Sequence, residues 1–567
     1  MSPLTDRQNK RPVLAKLVHF VRVALVIALL AAIPATSRPM SEGSVAPLLS
    51  QIPRGTMMPG IRIDLDQNVN GMWPLLDEHD NLNGFLARTL PAAKGLVGYR
   101  GPSEACIVLD TDLTLAAVSL LGSSDTEAHV EAVIADAKFF DQFKGWPWGG
   151  PPADTHIDGV SGATLTSLAI AEGVLKRIGG ARPSLVFAAS ISIDEIQDWY
   201  PNAASIDEAS GRVRDADDET LGRVLRTGPK SDDVVGYQGP TEMLIKVNSS
   251  GTIDAIRIRR SFDNEPYVDY VRTERGFWKT FTNQSITELS DFDPEAEGVE
   301  GVSGATMTSL AVADTLVAAA KEFAAQAKRA EEPIPKWYET IRWTRSDIAT
   351  IGMLLLAGLL SLLGLFRNRI ARRLWLVLVI TVIGLWAGNL VSMALISGWA
   401  AEGIGWRLAP GLCAIALVSL LVPAMTKGNP YCNHLCPHGS IQQLIKPGQQ
   451  SRRRWKPKPS TMKWITKVPG ITLVLAYLIL IVVPTIDLSS WEPFHAYLFQ
   501  IASWSSLLLA IATLALSATI PMGYCRLGCP TGRLIDYLRR TSISHRITSA
   551  DFVAAGLLIF ALVYRGL

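Results

Sequence analysis

Asp158-Gly159-Val160-Ser161-Gly162-Ala163-Thr164-Leu165-Thr166-Ser167-Leu168-Ala169 returns 142 residues later as Glu300-Gly301-Val302-Ser303-Gly304-Ala305-Thr306-Met307-Thr308-Ser309-Leu310-Ala311. Upstream, Gly98-Tyr99-Arg100-Gly101-Pro102 returns as Gly236-Tyr237-Gln238-Gly239-Pro240, and Arg88-Thr89 as Arg226-Thr227, both at an offset of 138. Two matched blocks at nearly constant separation mean two copies of one domain, with about four residues inserted between the blocks of the second. Each copy reads as α+β. Strands are predicted over residues 105–109 and 114–121 in the first copy, and over 243–247 and 253–259 in the second. Helical patterns follow the motif at 168–178 and 310–323. The copies are placed at 84–180 and 224–328, with 181–223 as a linker.

The repeated motif sits where a loop enters a helix. Gly162 and Gly304 remove a Cβ, and Ala163 and Ala305 keep the approach open. A phosphate held there would meet free backbone N–H groups and the positive end of the helix dipole. A hydroxyl-rich turn before an alanine-rich helix is also an ordinary cap. Its recurrence over consecutive positions in both copies favours a ligand over a cap. Trp146-Pro147-Trp148-Gly149-Gly150 reads as a structural turn, and Cys106, which is Leu244 in the second copy, as core packing.

Around this repeat the chain is unusually apolar. Of its 567 residues 48% are hydrophobic and 19% charged. The net charge of +2 hides three regions: +4 over 1–37, −16 over 38–345 and +14 over 346–567. An acidic middle between basic, apolar ends excludes a nucleic-acid binder, and six cysteines exclude a disulfide-stapled scaffold. An apolar run at 17–33, broken by His19 and Arg22, is either a signal peptide cut near Ala35-Thr36-Ser37 or an uncleaved anchor. The anchor is the preferred expectation, giving an N-terminal segment over 1–37. Further runs at 348–366, 374–396, 408–425, 471–486 and 501–520, with a short one at 552–564, approach the length that spans a bilayer. The loop at 367–373 carries four Arg, 427–467 nine Lys/Arg and no acid, and 522–549 five Arg against Asp536. The positive-inside rule places these loops in the cytoplasm and the acidic repeats outside the cytoplasmic membrane. The expected fold is therefore a tandem of extracytoplasmic α+β domains followed by an all-α polytopic membrane domain over 346–567. Asn389 is a polar candidate inside one span, equally suited to a helix–helix hydrogen bond.

Four of the cysteines form two matched pairs, Tyr431-Cys432-Asn433-His434-Leu435-Cys436-Pro437-His438-Gly439 and Tyr524-Cys525-Arg526-Leu527-Gly528-Cys529-Pro530-Thr531-Gly532. A three-residue gap puts both sulfurs on one face of a helical turn. On a reducing side they are expected as thiols sharing a metal or iron–sulfur centre, with structural zinc as the rival. His434 and His438, which lack counterparts in the second pair, read as surface residues, and Cys413 as packing.

The Ser-Gly-Ala-Thr motif resembles the flavinylation motif of the FMN-binding domains in sodium-pumping NADH:quinone oxidoreductase and the Rnf complex. The resemblance implies FMN joined through its phosphate to Thr164 and Thr306 by a flavin transferase. Asp158, Ser161, Gly162, Ala163 and Thr166 would surround the first flavin, and Glu300, Ser303, Gly304, Ala305 and Thr308 the second. Copy two departs from the family in carrying Glu300 at the leading acidic position. With the membrane segment and the two Cys-x-x-x-Cys-Pro elements, the chain as a whole resembles the NosR/NirI membrane flavoproteins and their relatives in organohalide respiration. That resemblance implies an electron-transfer flavoprotein of the inner membrane, with Cys432, Cys436, Cys525 and Cys529 ligating a 4Fe-4S cluster. It would link quinol or another membrane donor to an exported acceptor. Two features depart from the family: there are two FMN domains rather than one, and these 567 residues include no eight-cysteine ferredoxin domain. A bilayer core of about 30 Å is too thick for a single electron hop, so a carrier in the bundle is expected. A redox sensor or maturation factor for an exported metalloenzyme, and a ligand-binding module with structural zinc, are the alternatives.

Overall fold

The computed structural model describes residues 12–35, 52, 56, 59–68 and 70–566, less 91, 152–154, 180–181, 188, 208–209, 249, 332–335, 456–457 and 542–545. The start of the N-terminal segment and its possible cleavage region at 36–37 lie outside the described residues.

The N-terminal region is α+β. Strands β1 (Arg62–Ile63), β2 (Met72–Leu76), β3 (Leu82–Arg88), β4 (Ser103–Leu109) and β5 (Leu115–Ser123) form an antiparallel meander in chain order. Strands β6 (Ser205–Asp207), β7 (Arg212–Arg214), β8 (Thr220–Arg226), β9 (Thr241–Val247) and β10 (Ile253–Ser261) form a second one. One face of the first sheet packs Phe85, Ile107 and Leu109 on Ile170 and Val174 of the helix Thr164–Ile178. In the second, Met243 and Ile245 meet Val312 and Leu316 of the helix Thr306–Glu331. The opposite face of the second sheet is covered by Ile191, Ile196 and Tyr200. Much of the expected linker thus belongs to the second domain. Its strands β6 and β7 are three residues each and partly charged, too short for an alternating pattern to register.

The repeated Arg-Thr has a structural role. Arg88 is buried and paired with Glu104 at 2.6 Å, and Arg226 with Glu242 at 2.7 Å. The Thr89 hydroxyl accepts the Ala105 N–H at 2.9 Å, and Thr227 that of Met243 at 2.8 Å. Removing one partner of such a buried pair costs about 3–5 kcal/mol. Cys106 is fully buried against Trp73 and Leu86, and burial pushes its thiol up to about 12.

The C-terminal part is helical. Two helices, Arg345–Leu362 and Pro459–Val482, are long and apolar enough to cross a membrane, while Pro410–Met425 and Trp504–Ser517 are apolar but shorter. The expected span at 374–396 is not one helix. Arg369–Val379 continues in π form over Ile380–Trp386, the chain then opens, and Met393–Glu402 starts a new helix. Gly388 has φ +65°, and a Cβ there would strike Leu498. The Tyr431 hydroxyl accepts the Val391 N–H at 2.9 Å and donates to its carbonyl at 3.2 Å, so the opened backbone keeps its partners. Asn389 lies in the opened segment and donates to Thr350 Oγ1 of the helix Arg345–Leu362 at 2.8 Å, so the bond joins loop to helix where one between two helices was expected.

The N-terminal helix Pro12–Ala31 packs against the C-terminal helix Ser549–Arg565. The two residues that interrupt its apolar run are both partnered. Arg22 binds the two Asp551 oxygens at 2.6 and 2.7 Å, and His19 Nε2 lies 2.6 Å from the Ala424 carbonyl.

Candidate functional site

Each motif is held by a buried aspartate. The Asp125 carboxylate accepts the N–H groups of Tyr99 and Arg100 at 2.9 Å each, and the Thr166 hydroxyl at 2.6 Å. Asp263 receives the equivalent bonds from Tyr237, Gln238 and Thr308. Burial works to raise the Asp263 pKa, but the donors outweigh it and the carboxyl titrates below its usual range. One carboxylate therefore ties the Gly-Tyr-x-Gly-Pro turn to the helix that follows Ser-Gly-Ala-Thr. Ser167 and Ser309 close the loop by accepting the N–H groups of Val160 and Val302. Gly162 and Gly304 turn at φ +82° and +81°.

Thr164 and Thr306 stand exposed at the first position of their helices, whereas Thr166 and Thr308 are buried on the aspartates. The helix Thr164–Ile178 has no side-chain cap at its start, which leaves its first N–H groups for a ligand. Ala163 and Ala305 are buried behind the turn; Asp158 and Glu300 lie exposed on the approach to it. Ser161 donates to Gln500 at 2.6 Å, and Ser303 is exposed. Trp146 packs in the core on Phe143, as a structural turn requires.

Asp125 and Asp263 escaped the sequence reading. Ser123-Ser124-Asp125-Thr126-Glu127 and Ser261-Phe262-Asp263-Asn264-Glu265 share the offset of 138 and could have found them.

The first domain rests its motif face on the helical domain. Trp399 Nε1 donates to the Tyr99 carbonyl at 3.1 Å, and the Tyr99 hydroxyl lies 3.3 Å from Ser392 Oγ. The Arg100 guanidinium donates to the carbonyls of Pro484 and Ile486 at 3.2 and 2.7 Å. Gly398 permits this approach, since a Cβ there would lie 2.4 Å from the Arg100 backbone. The joint forms an open cavity of about 790 Å³, lined by Thr164, Tyr99 and His129 from the domain and by Trp386, Asn389 and Tyr497 from the helical part. It lies within the size range of cofactor pockets, and Leu385, Trp386 and Leu412 give its far wall apolar surface beside the polar Arg345, Asp347 and Asn389.

The four cysteines line a second cavity, of about 200 Å³. Cys436 and Cys529 each cap a helix, Pro437–Ile445 and Pro530–Leu538. Their sulfurs accept the N–H groups of Gly439 at 3.4 Å and Gly532 at 3.1 Å. The Cys-Pro-x-Gly spacing follows from this geometry. Cysteine takes the cap, proline the first helical position, and glycine supplies an N–H without a Cβ to crowd the sulfurs. Gln442 Nε2 lies 3.2 Å from Cys525 Sγ. Among the described residues no group of three or more His, Cys, Asp or Glu side chains converges closely enough for a single ion. The four sulfurs line one space, a donor set that both an iron–sulfur cluster and zinc accept.

His438 is not on the surface. It is fully buried, with Nδ1 3.0 Å from the Tyr497 hydroxyl and Nε2 3.2 Å from Thr513. His434 is half-buried and stacked on Phe366. A motif comparison could not see this, because the partner Tyr497 comes from a loop 59 residues away. Glu492 was likewise missed. Set between the runs at 471–486 and 501–520, it is buried and accepts the Met393 N–H at 2.6 Å and the Thr531 hydroxyl beside the second cysteine pair.

Comparison with protein families agrees with both halves of the site. The FMN-binding domain model matches residues 98–178 and 236–321, and the 4Fe-4S binding domain model matches 408–458 and 502–549. No curated protein and no solved structure matches the chain significantly. The chain thus carries two FMN-binding regions and a 4Fe-4S binding domain matched twice, with one cysteine pair in each match.

Proposed function

We propose that this protein is a membrane-bound electron-transfer flavoprotein similar to NosR and NirI, with FMN joined covalently to Thr164 and Thr306. Cys432, Cys436, Cys525 and Cys529 would hold one 4Fe-4S cluster. Electrons would pass between the quinone pool, or another membrane donor, and an exported acceptor. Flavin supplies a two-electron carrier that also exchanges electrons singly, and the cluster a one-electron centre.

One observation carries this proposal. Tyr497 lines the cavity beneath Thr164 and is hydrogen-bonded to His438, which lines the cysteine cavity. The two sites therefore share a wall. Tyr99, Arg100 and Ser161 fix the first domain against the helices and hold Thr164 over that wall. Glu492 joins the opened backbone at Met393 to Thr531, and so holds the second cysteine helix in register with the joint. Tyr497 and His438 would bridge this one step.

A single preparation tests the proposal, made with a flavin transferase and kept under argon. It should show flavin fluorescence on a denaturing gel, iron with acid-labile sulfide, and flavin bleaching on addition of a quinol. Zinc in place of iron, or flavin released on denaturation, overturns it, and flavin that no quinol reduces moves the donor from the quinone pool to another membrane component.

A further inference from the structure

The two flavin domains present the same face to different surroundings. In the first, Val97, Tyr99 and Leu168 are 6–7% exposed, covered by Gly405, Ser392 and Leu408 of the helical domain. Their counterparts in the second, Val235, Tyr237 and Leu310, are 38–61% exposed. Phe262, Tyr270 and Met307 extend this uncovered surface around Thr306. Tyr270 lies against Gly304 as Ile501 lies against Gly162. A contiguous apolar patch rimmed by polar groups marks an interaction site.

Charge points to the occupant. On the covered face Glu172 meets Arg407 of the helical domain at 3.8 Å. The matching position in the second copy is Asp314, also acidic and exposed. Between Lys279 and Lys321 the chain carries Glu288, Asp291, Asp293, Glu295, Glu297, Glu300 and Asp314 and not one basic residue. The second domain therefore keeps the docking face of the first, together with its acid, and among the described residues lacks the basic partner.

We propose that this face of the second domain docks a soluble redox protein whose exposed edge is apolar and ringed by lysine and arginine. That the docked protein exchanges electrons with flavin on Thr306 rests on the electron-transfer function proposed above; the docking itself does not. Each encounter would move one electron, oxidising the flavin by one and reducing the partner's metal centre by one, with no bond made or broken. Oppositely charged rims speed the encounter and make it salt-sensitive.

The test uses the full flavinylated chain in nanodiscs and a small, strongly basic c-type cytochrome as probe. The cytochrome should bind at low ionic strength and be released at 0.5 M salt, beyond the reach of surface charges. Val235→Lys with Asp314→Lys should weaken binding at least tenfold, leaving covalent flavin and iron content unchanged. No binding by the native protein, or equal binding by the variant, overturns the docking face. So does a self-associated protein that the two substitutions disperse, because the occupant is then a second copy. Binding that the variant loses, without any cytochrome reduction, would uphold the face and remove the electron-transfer function. Reduction at an unchanged rate in the variant would remove the face and leave that function standing.

Discussion

Thr164 and Thr306 are each two residues from a threonine that is fully buried, and only the outer member of each pair can meet a flavin transferase. Thr164→Val with Thr306→Val should abolish flavin fluorescence on a denaturing gel while changing stability by no more than about 0.5 kcal/mol, as for an exposed substitution. Each single variant should keep about half the native signal; a signal that survives in the double variant excludes these threonines as the attachment points. The inner threonines behave otherwise. Thr166→Val leaves the buried Asp125 short of a donor and should destabilise the first domain by about 1–3 kcal/mol, read as a lower melting temperature. The outer threonines were legible because the motif repeats. The aspartates were not, because a lone carboxylate within a strand-to-helix turn looks like any surface acid until its backbone and threonine donors are seen.

At the scale of elements, each cysteine pair is a helix start, and the two starts converge on one cavity. Cys432→Ser, Cys436→Ser, Cys525→Ser and Cys529→Ser should each lose most of the iron and keep FMN, since three thiolates leave a cluster open to oxidation. A pair of variants that retains half the iron would mean two independent centres. Gly532→Ala separates helix from cluster. A Cβ there would lie 3.3 Å from Cys529 Sγ and 3.9 Å from Cys432 Sγ. Iron loading should fall, while the apoprotein gains up to about 1 kcal/mol of helix propensity. The helix Glu127–Ala135 gives the joint a pH dependence. His129 is stacked on Tyr99 at 4.7 Å, and burial lowers its pKa from 6.5 to about 4. Its neutral form is the folded one, so stability is complete above pH 6.5 and declines as pH falls towards 4, by on the order of 3 kcal/mol. His495 packs edge-on against His129 at 5.4 Å with its pKa likewise lowered by burial to about 4, so His129→Gln should lessen that decline in thermal unfolding without removing it; an unchanged profile would place the titration elsewhere. Hydropathy marked the apolar helices but missed the opening after Trp386. Gly388, Asn389 and Ser392 are too few to lower a window average, and yet they turn the chain and create the joint.

Across the whole molecule, the runs expected at 471–486 and 501–520 leave 487–500 as an outer loop. It folds back instead, bringing Glu492, Phe494 and Tyr497 into the helical core, and no hydropathy window reveals a polar loop that re-enters. The charge asymmetry, in contrast, was legible, and it bears on orientation. The first flavin domain docks on segments around 392–408 and 484–501. These are the weakly charged loops, which alternate along the chain with the three basic ones. Lysine and arginine in short loops resist translocation, so the nine in 427–467 favour the cytoplasm, and the docked domain then faces outward. A protein with Cys106 and Cys413 replaced by Ala, carrying a cysteine at Asp217 or at Arg453, separates the two orientations, since both positions are exposed. An impermeant maleimide added to spheroplasts should label position 217 at once, and position 453 only after the membrane is permeabilised. The four remaining cysteines should stay silent while the cluster holds them. Immediate labelling at 453 would put the basic loops outside, the flavins inside and the acceptor in the cytoplasm, reversing the proposed direction of export while leaving both cavities and their shared wall as they are.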